Sequence, residues 1–144
     1  MNALDVAITS KLIGDVEAGG VNHPTTGATG GFHQGTAPQT ATFPRLHFQE
    51  LIDTALYSFS ALQADHVFYQ FNWFAVDGNE EGVTVAGRLA ERARTLFTDP
   101  SMSVTGKTLL YSRFERSIPQ GFDWDDTNNR YVYSKGFILE VWLS

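Results

Sequence analysis

The chain has 144 residues, a formal charge of −6, an apolar share of 42% and no cysteine. Without cysteine there are no disulfides, thiolate metal sites or thiol nucleophiles, and the acidic balance argues against wrapping nucleic acid, which relies on clustered Lys and Arg. No apolar run approaches the roughly 20 residues of a membrane span. The N-terminus has no basic stretch before an apolar block and is interrupted by Asp5, so a cytoplasmic protein without a signal peptide is expected.

Residues 2–13 place Leu4, Ile8 and Leu12 at steps of four, with Val6, Ala7 and Ile13 beside them. This is the apolar stripe of a short helix, ended by Gly14, Gly19 and Gly20. Residues 19–44 then hold six glycines, six threonines and three prolines, with no Asp, Glu, Lys or Arg. Such a segment reads as an extended loop or arm of a single 1–144 domain, unable to build a core alone but able to order against a neighbour.

Residues 45–51 alternate Leu46 and Phe48 with polar neighbours and read as a strand. The clearest strand is 66–77, with Val67, Tyr69, Phe71, Trp73 and Ala75 on one face and Phe68, Gln70, Asn72 and Phe74 on the other. Both faces are partly apolar, which predicts a central strand or one covered on its second side. Asp77 and Glu80 have the spacing of a capping box. Val83, Ala86, Leu89, Ala90, Ala93, Leu96 and Phe97 then follow a period of 3.6, predicting a long helix over about 79–97 that Pro100 stops. Strands are predicted over 107–117 and 129–143, joined by a turn-rich connection at 118–129. In the last strand Tyr131, Tyr133, Phe137, Leu139, Val141 and Leu143 share a face. One long helix between strand pairs predicts an α+β fold: a mostly antiparallel or mixed sheet of four to five strands packed against the N-terminal helix and the long helix.

Reactive constellations are missing. The histidines (His23, His33, His47, His66) lack metal-ligand spacing. The acidic stretch 123–129 fails as a calcium loop, because the positions that need Gly and Glu are Asn128 and Ser134. The glycine clusters lack the order of a phosphate cradle. The 11 Phe, 5 Tyr and 3 Trp alternate within strands without basic company, so they read as core. No catalytic, cofactor or metal residues are assigned, and an enzyme is not expected.

The order of elements resembles the tail-terminator or tail-completion proteins of long-tailed bacteriophages. It is carried by Gly31, Phe32, Ala37, Pro38, Phe43, Pro44 and Phe48 in the stretch 30–48, and by the aromatic strand leading into a helix over 71–97. An acidic loop and final alternating strand over 123–143 complete it. The segment at 21–29 is longer and richer in threonine than that pattern. The resemblance implies a structural virion protein that closes the tail tube as a homohexameric ring, next to the tail tube protein and the neck or connector proteins. Genome DNA would pass its bore without specific binding, and no membrane or cofactor is implied. The interaction residues singled out with it are Phe32, His33, Pro38, Phe43, Arg88, Arg92 and Trp124. A head-side neck component is the alternative, with a small enzyme or ligand-binding domain behind it.

Overall fold

The computed structural model describes residues 2–38, 42–58, 61–98 and 102–144, with 52–58 and 61–64 described as backbone only. Two helices and five strands follow in the order α1 (Ala3–Ile13), β1 (Phe32–Gln34), β2 (Arg45–Ser58), β3 (Ala61–Val76), α2 (Gly82–Thr98), β4 (Leu109–Asp125) and β5 (Arg130–Leu143). The strands form one mixed sheet in the order β1-β2-β3-β5-β4. Only β1 and β2 run parallel. The expected α+β class and the sheet's strand count are both seen.

Register and pleat divide the sheet into two faces. One carries Leu46, Phe48, Val67, Tyr69, Phe71, Trp73, Phe137, Leu139 and Val141, all buried under the helices. Phe71 sits at its centre, stacked on Phe137 at 5.0 Å and on Phe48 at 5.9 Å, with Phe97 of α2 at 5.4 Å. Burying each such ring contributes about 1.5–3 kcal/mol. Among the described residues, however, only Phe48, Tyr69, Phe71, Trp73, Phe97 and Phe137 of the aromatics are buried, and Tyr111, Phe122, Trp124 and Tyr131 are exposed, so the reading of the aromatics as core holds only in part. The second face carries His47, His66, Phe68, Phe74, Ile138, Glu140 and Trp142, and no helix lies over it among the described residues.

α1 packs Leu4, Ala7, Ile8 and Leu12 inward, while Val6 and Ile13 face out. Its start is a capping box that the hydrophobic pattern did not reveal: Asp5 N–H donates to Asn2 Oδ1 at 2.8 Å, and Asn2 N–H donates to Asp5 Oδ2 at 2.9 Å. The buried Asp5 also accepts from Tyr69 Oη at 2.5 Å, and burial followed by that bond raises the Tyr69 pKa.

α2 starts at Gly82, three residues later than the expected 79. Asp77 Oδ1 accepts from Gly82 N–H at 2.8 Å, so Asp77 holds the turn before the helix instead of forming a box with Glu80. The core-facing stripe uses Val85 where Val83 was expected, and it continues through Ala86, Leu89, Ala90, Ala93 and Phe97. The Pro100 stop lies outside the described residues.

Two differences concern strand length. β2 and β3 pair from Arg45↔Phe74 to Ser58↔Ala61, with register shifts between Glu50 and Ile52 and between Leu56 and Tyr57, much longer than the expected 45–51 and 66–77. Because β5 reaches only Asp65↔Leu143, the end of that hairpin is two-stranded. The supposed connection at 118–129 is strand as far as Asp125, leaving a four-residue turn. Pro119 has no N–H to donate, but β4 is an edge strand and the register slips between Ile118 and Gly121, so the ladder loses nothing there.

The glycine-rich segment contributes to the core. Val21 and Ala28 are buried in it, Val21 N–H donates to Asp15 Oδ2 at 2.8 Å, and Gly30 N–H donates to the Pro44 carbonyl at 2.8 Å. Gly30 is required: a Cβ there would stand 1.9 Å from the Thr42 carbonyl oxygen.

Candidate interaction surface

The singled-out residues do not converge on one site. Phe32 of β1 packs edge-on against Trp73 at 6.1 Å and serves the core margin. His33 donates through Nε2 to the Gly30 carbonyl at 2.7 Å, which ties β1 back to the glycine turn. Pro38 is exposed. Phe43 is half-buried, with the guanidinium of Arg45 4.2 Å from its ring centre and that of Arg130 at 5.1 Å. Burial, and after it the charge of Arg130, lowers the Arg45 pKa.

Phe43 and Arg88 both line an open cleft of about 480 Å³. Apolar Phe43, Pro44, Val76 and Val85 line it together with Thr25, Thr26 and Thr29 of the glycine-rich segment. Arg88 Nη2 lies 3.4 Å from Glu80 Oε1, so its charge is answered within the chain.

Arg92 is a fastener. Its Nε and Nη2 donate to the two carboxylate oxygens of buried Asp15 at 2.9 and 2.5 Å, and Nη2 also reaches Glu17 Oε1 at 2.8 Å. This bidentate pair joins α2 to the turn after α1. The Arg92 bond holds the Asp15 pKa below its usual 3.8 against the opposing cost of burial. Arg94 completes the row, near Glu91 at 3.9 Å and over the Phe114 ring at 4.0 Å.

Trp124 lies at the far end of the β4–β5 hairpin. It is 48% exposed, Phe122 is 68% exposed and Tyr131 is 45% exposed. Tyr131 meets Trp124 at 4.9 Å and Phe122 at 5.6 Å, both edge-on. Sequence reasoning named Trp124 and missed the other two, because only the strand register shows that the three share a face.

A polar cluster on the uncovered sheet face was also missed. Buried Glu140 accepts from Arg113 Nε at 2.9 Å and Trp142 Nε1 at 3.1 Å, with His66 Nε2 at 3.4 Å. Burial pushes the Glu140 pKa up, but the bonds from Arg113 and Trp142 outweigh it and the net shift is downward. The His66 ring stacks on Trp142 at 3.9 Å. Its partners come from β3, β4 and β5, which no local sequence pattern links.

No protein-family model matches the chain, and no curated protein matches it. Its fold is similar to that of a chain in the virion of a native gene transfer agent (GTA) particle, with a TM-score of 0.60 at 10% identity, over 96% of this chain and 93% of that one. At this identity the likeness is one of fold.

Proposed function

We propose that the chain is a structural, non-enzymatic virion protein that caps the tail tube as a ring of six copies, ends its polymerisation and joins the tail to the head–neck complex. The observation that carries this reading is the fold likeness to a virion chain over 96% of this chain's length. The order of elements in the sequence, which resembles the tail-terminator pattern, points the same way.

The tail tube protein and the neck proteins are its partners on the two axial sides. The exposed part of the glycine-rich segment around Pro38 and the cleft walled by Thr25, Thr26 and Thr29 are its contact with a neighbouring copy. DNA passes the ring without specific binding. Arg88, Arg92 and Arg94 each face a carboxylate of their own chain, which leaves that helix little charge for phosphate.

The deciding experiment is cryo-electron microscopy of particles that carry the chain. Six copies in one ring at the head-proximal end of the tail are expected. A different copy number, or a position inside the head, would overturn the reading.

A further inference from the structure

The sheet has two open edges, and they are open in the same rows. β1 covers β2 only along Leu46–Phe48, so from Gln49 to Ser58 no strand lies beyond β2 among the described residues. No described strand lies beyond β4 either. The ladders place Gln49, Gln70, Ile138 and Arg116 in one row, and Thr54, His66, Trp142 and Tyr111 in another. Pairing is unbroken from Ile52 to Leu56 on one edge and from Tyr111 to Phe114 on the other. In the rows of Leu46 to Phe48 both edges are closed to a further strand. There β1 occupies β2, and β4 enters the slip between Ile118 and Gly121 that holds Pro119.

An uncovered run of N–H and C=O groups is a template for another strand, and edges that avoid pairing carry Lys or Pro. The stretch from Gln49 to Ser58 has neither, and no Arg or Gly. Strand sense says what fits it. The three pairings that lead from β2 across the sheet to β4 are all antiparallel, so β2 and β4 run in opposite directions. A second copy set beside the first in the same orientation therefore offers its β4 to β2 in the antiparallel sense, the more stable of the two pairings.

Charge favours the same partner. Glu50 and Asp53 are the charged residues between Gln49 and Ser58, and both are acidic. Two β2 edges brought together would collect four carboxylates and no cation from either stretch. The stretch Leu109–Ser117 of β4 carries Arg113 and Arg116 against Glu115. Glu50 and Asp53 share rows with Tyr69 and Val67 on the helix-covered face, whereas Arg113 and Arg116 share rows with Glu140 and Ile138 on the open face. The preference is therefore one of net charge along the edge, not of cross-strand ion pairs.

We propose that β4 of a second copy adds to the free edge of β2, with Tyr111–Arg116 lying along Gln49–Leu56, so that the sheet continues from copy to copy. The two edges differ, so every contact leaves one of each open at the ends of the row, and only closure into a ring removes them. The proposal rests on the ring reading above and names the contact that closes it.

Paired cysteines test it, and the chain has none of its own to interfere. One variant carries Gln49→Cys with Arg116→Cys, the other Thr54→Cys with Tyr111→Cys, each placing one thiol on either edge in a shared row. Gln49 and Arg116 are exposed, so the first variant keeps the fold. Within one chain the two thiols stand three strand spacings apart, about 14 Å. Assembled particles treated with bismaleimidoethane are expected to give a ladder of linked copies up to six on a denaturing gel. Its yield should be at least tenfold above that of each single-cysteine variant, and the linked peptides should join 49 to 116 and 54 to 111. Equal linkage from Thr54→Cys alone, or no ladder from either double variant in particles that hold a six-copy ring, would overturn the edge pairing and leave the ring. A ladder with the expected peptides that ends at another number supports the edge pairing and overturns the ring of six. Absence of the chain from the particles overturns both.

Discussion

The glycine-rich segment at 19–44 and the β4–β5 hairpin tip contrast in an instructive way. By composition the first has little to bury and the second has a great deal. The structure reverses the roles: Val21 and Ala28 of the glycine-rich segment are core residues, while Phe122 and Trp124 of the hairpin are exposed. What decides is the backbone each side chain is attached to. The segment is folded back on itself by hydrogen bonds such as Ala28 N–H to the Val21 carbonyl at 2.7 Å, which aims two small apolar side chains inward. The hairpin tip keeps the strand alternation from Phe122 to Tyr133 and extends two residue pairs beyond the end of β3.

The sharpest break of this contrast is at the segment's entrance. Replacing Arg92 with Ala leaves the Asp15 carboxylate buried with its strongest partner gone, although Val21 N–H still donates to it. Loss of one member of such a pair costs about 3 kcal/mol. In a chain of this size that lowers the midpoint of thermal unfolding by on the order of 10 °C. An unchanged melting temperature in a calorimetric scan would show that the segment is not fastened to α2.

A smaller loss is expected from Gly30→Ala. The new Cβ meets backbone, the Thr42 carbonyl oxygen at 1.9 Å, so the segment has to open to accept it. About 2 kcal/mol is expected, the cost of overpacking a tight site, and a denaturant midpoint shifted by less than a quarter of that would refute the close approach.

These two residues show what was legible in the sequence. The fold class, both helices and the facing of Val67 to Ala75 follow from periodicity, because repeated local patterns record which side meets the core. The 118–125 stretch was read as turn because Pro119, Gly121 and its aspartates are turn residues locally, whereas an edge strand with a bulge tolerates them. The Asp15–Arg92 fastener and the Glu140 cluster join residues 77 and 27 positions apart, and no local pattern encodes such pairs. Of the exposed hairpin aromatics, Trp124 was named only with the tail-terminator resemblance, and Phe122 and Tyr131 were not singled out, because only the strand register shows that the three share a face.

Acid separates the regions further. Asp15 and Glu140 both titrate below their ordinary 3.8 and 4.5 in the folded chain. Groups lowered on folding bind protons more readily when unfolded, so their stabilisation is present above the ordinary carboxylate range and fades as pH falls through the folded values. Unfolding free energy is therefore expected to hold from pH 7 to about 5 and to decline below about 4. Asp15→Asn should flatten that decline, since the substituted amide no longer titrates. A decline equally steep in the variant would assign the acid sensitivity elsewhere.

The smallest effect on the free chain belongs to the largest side chains of the tip. Trp124→Ser removes an indole that is 48% exposed and packs edge-on against Tyr131, and Phe122→Ser removes a ring that is 68% exposed. A cross-strand aromatic pair contributes about 0.2–1 kcal/mol, so each variant should unfold within about 1 kcal/mol of the parent. Val21→Ala, which deletes far fewer atoms from a fully buried site, should cost as much or more because it leaves a cavity in the core. Chemical denaturation of the three variants side by side checks the order. If either hairpin variant destabilised the chain by several kcal/mol, its aromatic side chain would belong to the core after all, and the tip would have no reserve of exposed surface for a partner.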